Sequence, residues 1–167
     1  MIRKIWSRTG YPQLLWWVIL LAWMGLIFLM SAQDGEESAA LSGGIVNWLV
    51  QILLRGVEDM EPDRLAELKY ILTVLIRKLA HFTEYAVLAG IGMGLLHSYG
   101  CLSPTYSGMV WLGATLYAVT DEIHQGFTAG RAPRAFDVCI DSAGALFGVL
   151  VIYVLLVQHR RRKARQK

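Results

Sequence analysis

Residues 77–96 read RKLAHFTEYAVLAGIGMGLL. Two bases, Arg77 and Lys78, stand in front of an apolar run from Leu79 to Leu96 whose charge-bearing residues, His81 and Glu84, sit near its start. A hydrocarbon core of about 30 Å takes roughly 17–25 mostly apolar residues of helix to cross, so the run is long enough to span a membrane. Ionisable groups at membrane depth are costly, and for that reason are rare and usually functional. This stretch predicts a helical membrane protein with a polar site at one end of its spans.

Three further segments support that reading. Leu14 to Met30 is apolar and uncharged, Ser107 to Ile123 is shorter and less apolar, and Phe136 to Val157 carries Asp141 in its second turn. The chain has 167 residues, a charged fraction of 17% and a net charge of +3, and its mean hydropathy is +0.43. Length predicts one domain over 1–167, and composition suits a membrane protein better than a soluble one. The expected fold is an all-α integral membrane four-helix bundle with one or two extra extracytoplasmic helices. The first span follows Arg3, Lys4 and Arg8 but has no convincing small-residue cleavage site, so it reads as an uncleaved anchor rather than a signal peptide.

The basic residues orient the bundle. Arg3, Lys4 and Arg8 precede the first span, and residues 158–167 supply Arg160, Arg161, Arg162, Lys163, Arg165 and Lys167. Both termini are therefore expected in the cytoplasm. The turn from His97 to Tyr106 falls on the same side, while Ser31–Ala80 and Asp121–Ala135 face outward. Membrane lipids, not nucleic acid, are the partners such basic ends imply. The bacterial cytoplasmic membrane is the expected location.

The outer loop is itself structured. It opens with Asp34, Glu36 and Glu37, and continues as an apolar stretch from Leu41 to Leu54, short for a span and suited to an interfacial or re-entrant helix. Asn47 and Gln51 would share one of its faces. A second outer helix is expected to begin near Asp63 as its cap, with Pro62 just outside. Leu65, Leu68, Leu72, Leu75 and Leu79 then form a stripe at helical spacing. Nothing breaks the helix from Asp63 to Leu96, although a kink at the membrane boundary is equally allowed. Gly90, Gly92, Gly94, Gly144 and Gly148 lie inside spans, and the four-residue spacing of the last two suits close helix approach within the bundle better than a dimer interface. Trp6, Trp16 and Trp17 suit the interfacial belt or lipid contact. Cys101 and Cys139 lack metal-ligand spacing and read as packing residues.

Two strings carry the chemistry. In the first, Lys78, His81 and Tyr85 share a helical face, and Glu84 lies one turn inside the span. In the second, Asp121, Glu122, His124 and Gln125 end the third span. A Gly/Pro-marked loop follows with Arg131 and Arg134, and Asp137 and Asp141 share a face of the fourth. Three readings of this constellation stay open. One is an ion-pair network that fixes packing. Another is a site for an anionic group, with Lys78, Arg131 and Arg134 as cations and Tyr85 and Gln125 in support. The last is catalysis, with His81, Glu84, Asp121, Glu122, His124, Asp137 and Asp141 as candidates. In that case a histidine acts as general base, or a divalent metal ion is held by His81, His124, Glu84 and Asp137.

On these residues the chain resembles the VanZ-like family of small bacterial membrane proteins. The likeness rests on the Ser31-Ala32-Gln33 corner, on Arg77-Lys78-x-x-His81-Phe82-x-Glu84-Tyr85, and on Asp121-Glu122-x-His124-Gln125-x-Phe127 with Gly130-Arg131, Asp137, Asp141 and Gly144. The family often has Pro-Gly-Arg where this chain has Ala129-Gly130-Arg131, and Asn where it has Asp141. The resemblance implies a polytopic envelope protein that affects susceptibility to the glycopeptide teicoplanin, with which the family's namesake is associated, and it implies no reaction. The function expected first from the charged residues themselves is an outward-facing polar pocket that binds an anionic envelope component. A membrane-embedded hydrolase or transferase acting on a lipid-linked phosphate-bearing substrate is the alternative, and a small transporter the second.

Overall fold

The computed structural model describes residues 10–33, 35–53, 60–128 and 133–166, and these form five helices with no strand among them. They are α1 (Tyr11–Ser31), α2 (Gly35–Leu53), α3 (Pro62–Ser98), α4 (Pro104–Gln125) and α5 (Ala135–Arg165). Arg3, Lys4, Trp6, Arg8, Asp34, Leu54, Ala129, Gly130, Arg131 and Lys167 lie outside the described residues.

Local chemistry fixes the helix ends. Pro12, Pro62 and Pro104 each stand in a first turn, where a missing N–H costs nothing and the fixed φ favours the helix. Ser103 caps α4, its hydroxyl accepting from the Tyr106 N–H at 3.3 Å. The turn between α3 and α4 is a Schellman motif: Gly100, at φ +75°, donates to the His97 carbonyl, and Cys101 donates to that of Leu96 at 3.0 Å. The expected capping role of Asp63 does not hold. Pro62 is the first helical residue, Glu61 precedes it as cap without a side-chain bond, and Asp63 sits in the first turn. There its negative charge complements the helix dipole.

Helix α3 is the centre of the molecule. It runs unbroken for 37 residues, about 55 Å at 1.5 Å per residue, and packs on all four other helices, most extensively on α5. The helix is continuous across the expected membrane boundary. Its glycines serve different neighbours. A Cβ on Gly90 would touch Ile152 of α5 at 3.5 Å, one on Gly92 would crowd Val110 of α4, and one on Gly94 would strike the ring of Trp16 of α1. The Trp16 ring packs against Gly94, whereas Trp17 is exposed and donates to the Tyr99 hydroxyl at 3.2 Å. On α5, a Cβ at Gly144 or Gly148 would collide with the backbone carbonyl of Phe82 or Ala86. The α3–α5 seam is thus a contact of backbone on backbone within one chain.

The buried core is small and rich in alanine: Ala89, Ala114, Ala118 and Ala145 pack with Ile27, Tyr85, Leu88, Met93 and Val149. Large apolar side chains point the other way. Leu14, Leu21 and Leu29 of α1, Met109, Leu112 and Leu116 of α4, and Phe147, Leu150 and Leu155 of α5 are exposed. Asp121, Glu122, Gln125 and Asp141 are buried. This inside-out distribution suits a hydrocarbon surround.

Helices α1, α3 and α5 are long and apolar enough to cross a membrane. Helix α4, read from the sequence as the third span, is not among them, because Thr, Ser, Tyr and Gly dilute its apolar residues. Helix α2 begins at Gly35, earlier than the expected Leu41, and packs on α3 with Ser42, Val46 and Val50 buried at four-residue intervals. Asn47 and Gln51 do share an exposed face of it. In the leucine stripe, Leu65, Leu68 and Leu72 are half-buried, while Leu75 and Leu79 are exposed. The basic segment after 158 is helical, as an extension of α5 to Arg165.

Candidate functional site

Both chemical strings meet at one end of the bundle, where the C-terminal end of α1, the middle of α3, the C-terminal end of α4 and the N-terminal end of α5 converge. Chain direction brings this about. The tight turn after Ser98 makes α4 run back along α3, so Asp121 and Gln125 return to the level of His81 and Glu84. The backbone seam at Gly144 and Phe82 sets the height of α5, placing Asp141 one turn from the contact and across from His81.

Three linked groups make up the site. In the first, Ser31, Asp121 and Gln125 form a buried triangle. The Ser31 hydroxyl donates to Asp121 Oδ2 at 2.7 Å, and the Gln125 amide donates to the same oxygen at 3.1 Å and to Ser31 Oγ at 3.3 Å. Ser31 entered the sequence reading only through the family corner; here it joins α1 to α4. In the second group, His81 lies between two carboxylates, with Nδ1 at 3.9 Å from both Glu84 Oε2 and Asp141 Oδ1. In the third, at the rim, Lys78 forms an ion pair with Asp137 and lies over the ring of Phe136, 5.0 Å from its centroid. Glu122 accepts the Arg134 backbone N–H at 2.6 Å and so ties the end of α4 to the start of α5. Gly126 leaves room for the Pro133 ring, which lets the loop turn back closely.

Other polar bonds hold the helices to one another, and no local pattern signals them. Trp23 of α1 donates to the Glu84 carbonyl at 3.0 Å, Tyr117 of α4 to the Met24 carbonyl at 2.7 Å, and Trp111 to both oxygens of Ser142 at 3.1 Å. Each joins a side chain to backbone or hydroxyl on another helix, a pairing that sequence spacing does not encode.

Among the described residues, four buried atoms of the site have no hydrogen-bond partner: Tyr85 Oη, Asp121 Oδ1, Asp141 Oδ1 and His124 Nδ1. Tyr85 is fully buried, and Asp121 and Asp141 are each 2% exposed. Asp141 lies within electrostatic reach of the Asp121, Glu122, Asp137 and Glu84 carboxylates, and Tyr85 within reach of Asp121, Asp141 and Glu84. The interior is therefore rich in acceptors, with Lys78 half-buried on Asp137 and Arg134 exposed at its edge.

The expected residues are not all gathered. His124 stacks on Phe28 of α1, with ring centroids 4.0 Å apart, and does not share an ion pair with His81. Among the described residues no group of three His, Cys, Asp or Glu donors could hold a metal ion. The four candidate ligands are dispersed: His81 and Glu84 together, Asp137 on Lys78, His124 on Phe28. Of the expected cations, Lys78 is already paired, Arg134 is exposed, and Arg131 lies outside the described residues.

Neither the comparison with curated proteins nor that with solved structures returned a match. The family model described as VanZ/LLP1 matches residues 16–157, and the chain belongs to that family.

Proposed function

We propose that this VanZ-family membrane protein crosses the bacterial cytoplasmic membrane four times, with both termini inside. On this reading its polar end faces outward and binds the headgroup of an anionic envelope component. The basic residues flanking the first and last helices support the orientation. The apolar stripe of Met109, Leu112, Leu116, Val119 and Ile123 along the exposed face of α4 supports a fourth lipid-facing helix.

The observation that carries the binding role is the set of unsatisfied buried groups. A fold seldom leaves buried polar atoms without partners, and here Asp121, Asp141 and Tyr85 do so on three helices beside one another. Hydroxyl or amine donors of a headgroup would satisfy the two carboxylates, and Tyr85 could donate to it. Lys78 and Arg134 at the rim would meet its phosphate or carboxylate. Altered teicoplanin susceptibility would be the outcome of such binding in the cell.

Native mass spectrometry of detergent-purified protein tests this. A phosphate-bearing amphiphile should be retained by the native chain and reduced at least fivefold in Asp121→Asn and Asp141→Asn. Equal retention in all three folded proteins defeats the proposal. A second reading, a membrane-embedded hydrolase or transferase, draws on His81, which is flanked by Glu84 and Asp141 as a general base would be. It requires Glu84→Gln to fold normally and to lose turnover of a lipid-linked phosphate substrate.

A further inference from the structure

Beside the polar cluster, a groove of about 420 Å³ runs along α3. Its floor is one face of the helix, from Ile76 through Leu79, Ala80 and Thr83 to Val87, and Trp23 of α1 forms a wall. Eleven residues separate Ile76 from Val87, so the groove is about 16 Å long at 1.5 Å per residue. The Trp23 indole is fixed by its bond to the Glu84 carbonyl. Thr83 turns its hydroxyl back onto the Leu79 carbonyl at 2.7 Å and so presents a largely apolar surface. Among the described residues of the lining, Glu84 is the one that carries a charge.

We propose that this groove holds the single hydrocarbon chain of an amphiphile whose hydroxyl or amine end is gripped by Glu84. The inference rests on the binding role proposed above and adds what kind of molecule enters and from where. Three features support it. Helices α1 and α3 are both long and apolar enough to span, so a groove that starts at the outer end of the α3 span near Ile76 and runs inward to Val87 would open sideways to lipid. Its size also fits: with a share of about 30 Å³ per water-sized group, it has room for on the order of a dozen such groups, one chain rather than two. Finally, Glu84 belongs to both places. It lines the groove, and its Oε2 lies 3.9 Å from His81 Nδ1. A carboxylate at that depth, facing an apolar trough, is complementary to a donor carried on a chain and not to an alkane. The route is lateral: the chain slides in from the bilayer, and its polar end arrives at Glu84 beside the cluster.

A long-chain alcohol with a photoreactive diazirine in mid-chain probes this directly, with the full-length protein in phosphatidylglycerol nanodiscs. Crosslinks should concentrate on Trp23 and on residues 76–87. They should fall at least fivefold in Ala80→Trp and in Val87→Trp, two exposed positions where a large side chain fills the trough, and also when the alcohol is replaced by the matching diazirine alkane. Labelling spread evenly over the outer faces of α1 and α5, or groove labelling equal for alcohol and alkane, overturns the inference in favour of ordinary bilayer lipid. Retention of the phosphate-bearing amphiphile is read separately on the same variants. If it persists while groove labelling is absent, the headgroup site stands and the tail slot falls. If groove labelling is present but retention does not depend on Asp121 or Asp141, the headgroup role falls, and with it the link to Glu84.

Discussion

The α3–α5 seam and the outer polar cluster lie within a few residues of each other and are built in opposite ways. At the seam, Gly144 and Gly148 remove every side-chain atom, so that backbone meets the Phe82 and Ala86 carbonyls. One turn away, Asp141 and His81 place ionisable side chains where water is scarce, and atoms of Asp121, Asp141 and Tyr85 have no hydrogen-bond partner among the described residues. The seam has no room to spare, whereas the cluster has unmet hydrogen-bonding capacity. The difference teaches that the first is a positioning device and the second a working surface. Close packing fixes the register that a cluster of incompletely satisfied charges could not fix for itself.

The comparison can be broken most severely at the seam. Gly144→Leu forces α3 and α5 apart and should cost about 3 kcal/mol, near the upper end for overpacking. Thermal unfolding in detergent reads this, and a loss below about 1 kcal/mol would show that the seam gives way easily. Asp121→Ala comes next. It removes the acceptor that holds Ser31 and Gln125, and the expected loss is about 2 kcal/mol, as for hydrogen bonds to a charged group.

Asp141→Asn sharpens the contrast, because it keeps the shape and removes a buried charge whose Oδ1 has no hydrogen-bond partner. Stability should hold or rise by about 1 kcal/mol while headgroup retention falls, the trade expected where a site keeps a destabilising group for use. A large loss of stability instead would make Asp141 a structural residue. A double-mutant cycle of Lys78→Met with Asp137→Asn should give a coupling of no more than about 1 kcal/mol, since both side chains keep over a quarter of their surface exposed. The smallest effect belongs to Gly113→Ala. A Cβ there meets nothing within 4 Å, and the change should be within about 0.5 kcal/mol of neutral or slightly stabilising.

Much of this was legible in the chain because membrane helices advertise themselves. Uninterrupted apolar runs located α1, the second half of α3 and α5, and charges inside such runs marked His81, Glu84, Asp121 and Asp141 for the reason that burying them is costly. The spacing of Gly144 and Gly148 foretold a close contact, though not that Phe82 and Ala86 would receive it. The expected cap, Asp63, lies two residues beyond the observed cap, Glu61, because Asp is a familiar cap type and Pro62 an equally good first residue, and spacing cannot rank the two. His124 looked equivalent to His81, since each follows an acidic or basic neighbour at helical spacing. Its packing on Phe28 depends on how far α4 is rotated about its own axis, and no local pattern records that.

Residue order alone was enough to indicate helices of spanning length and two ionisable strings, because hydrophobic run length and the cost of buried charge act locally along the chain. Only the tertiary structure decided the partners: Asp121 with Ser31 and Gln125, Asp137 with Lys78, His81 between Glu84 and Asp141, Glu122 at the start of α5. Those choices depend on the register and rotation of five helices against one another. That register is set by backbone contacts at glycine and by side-chain bonds to distant carbonyls, which residue spacing along the chain does not carry.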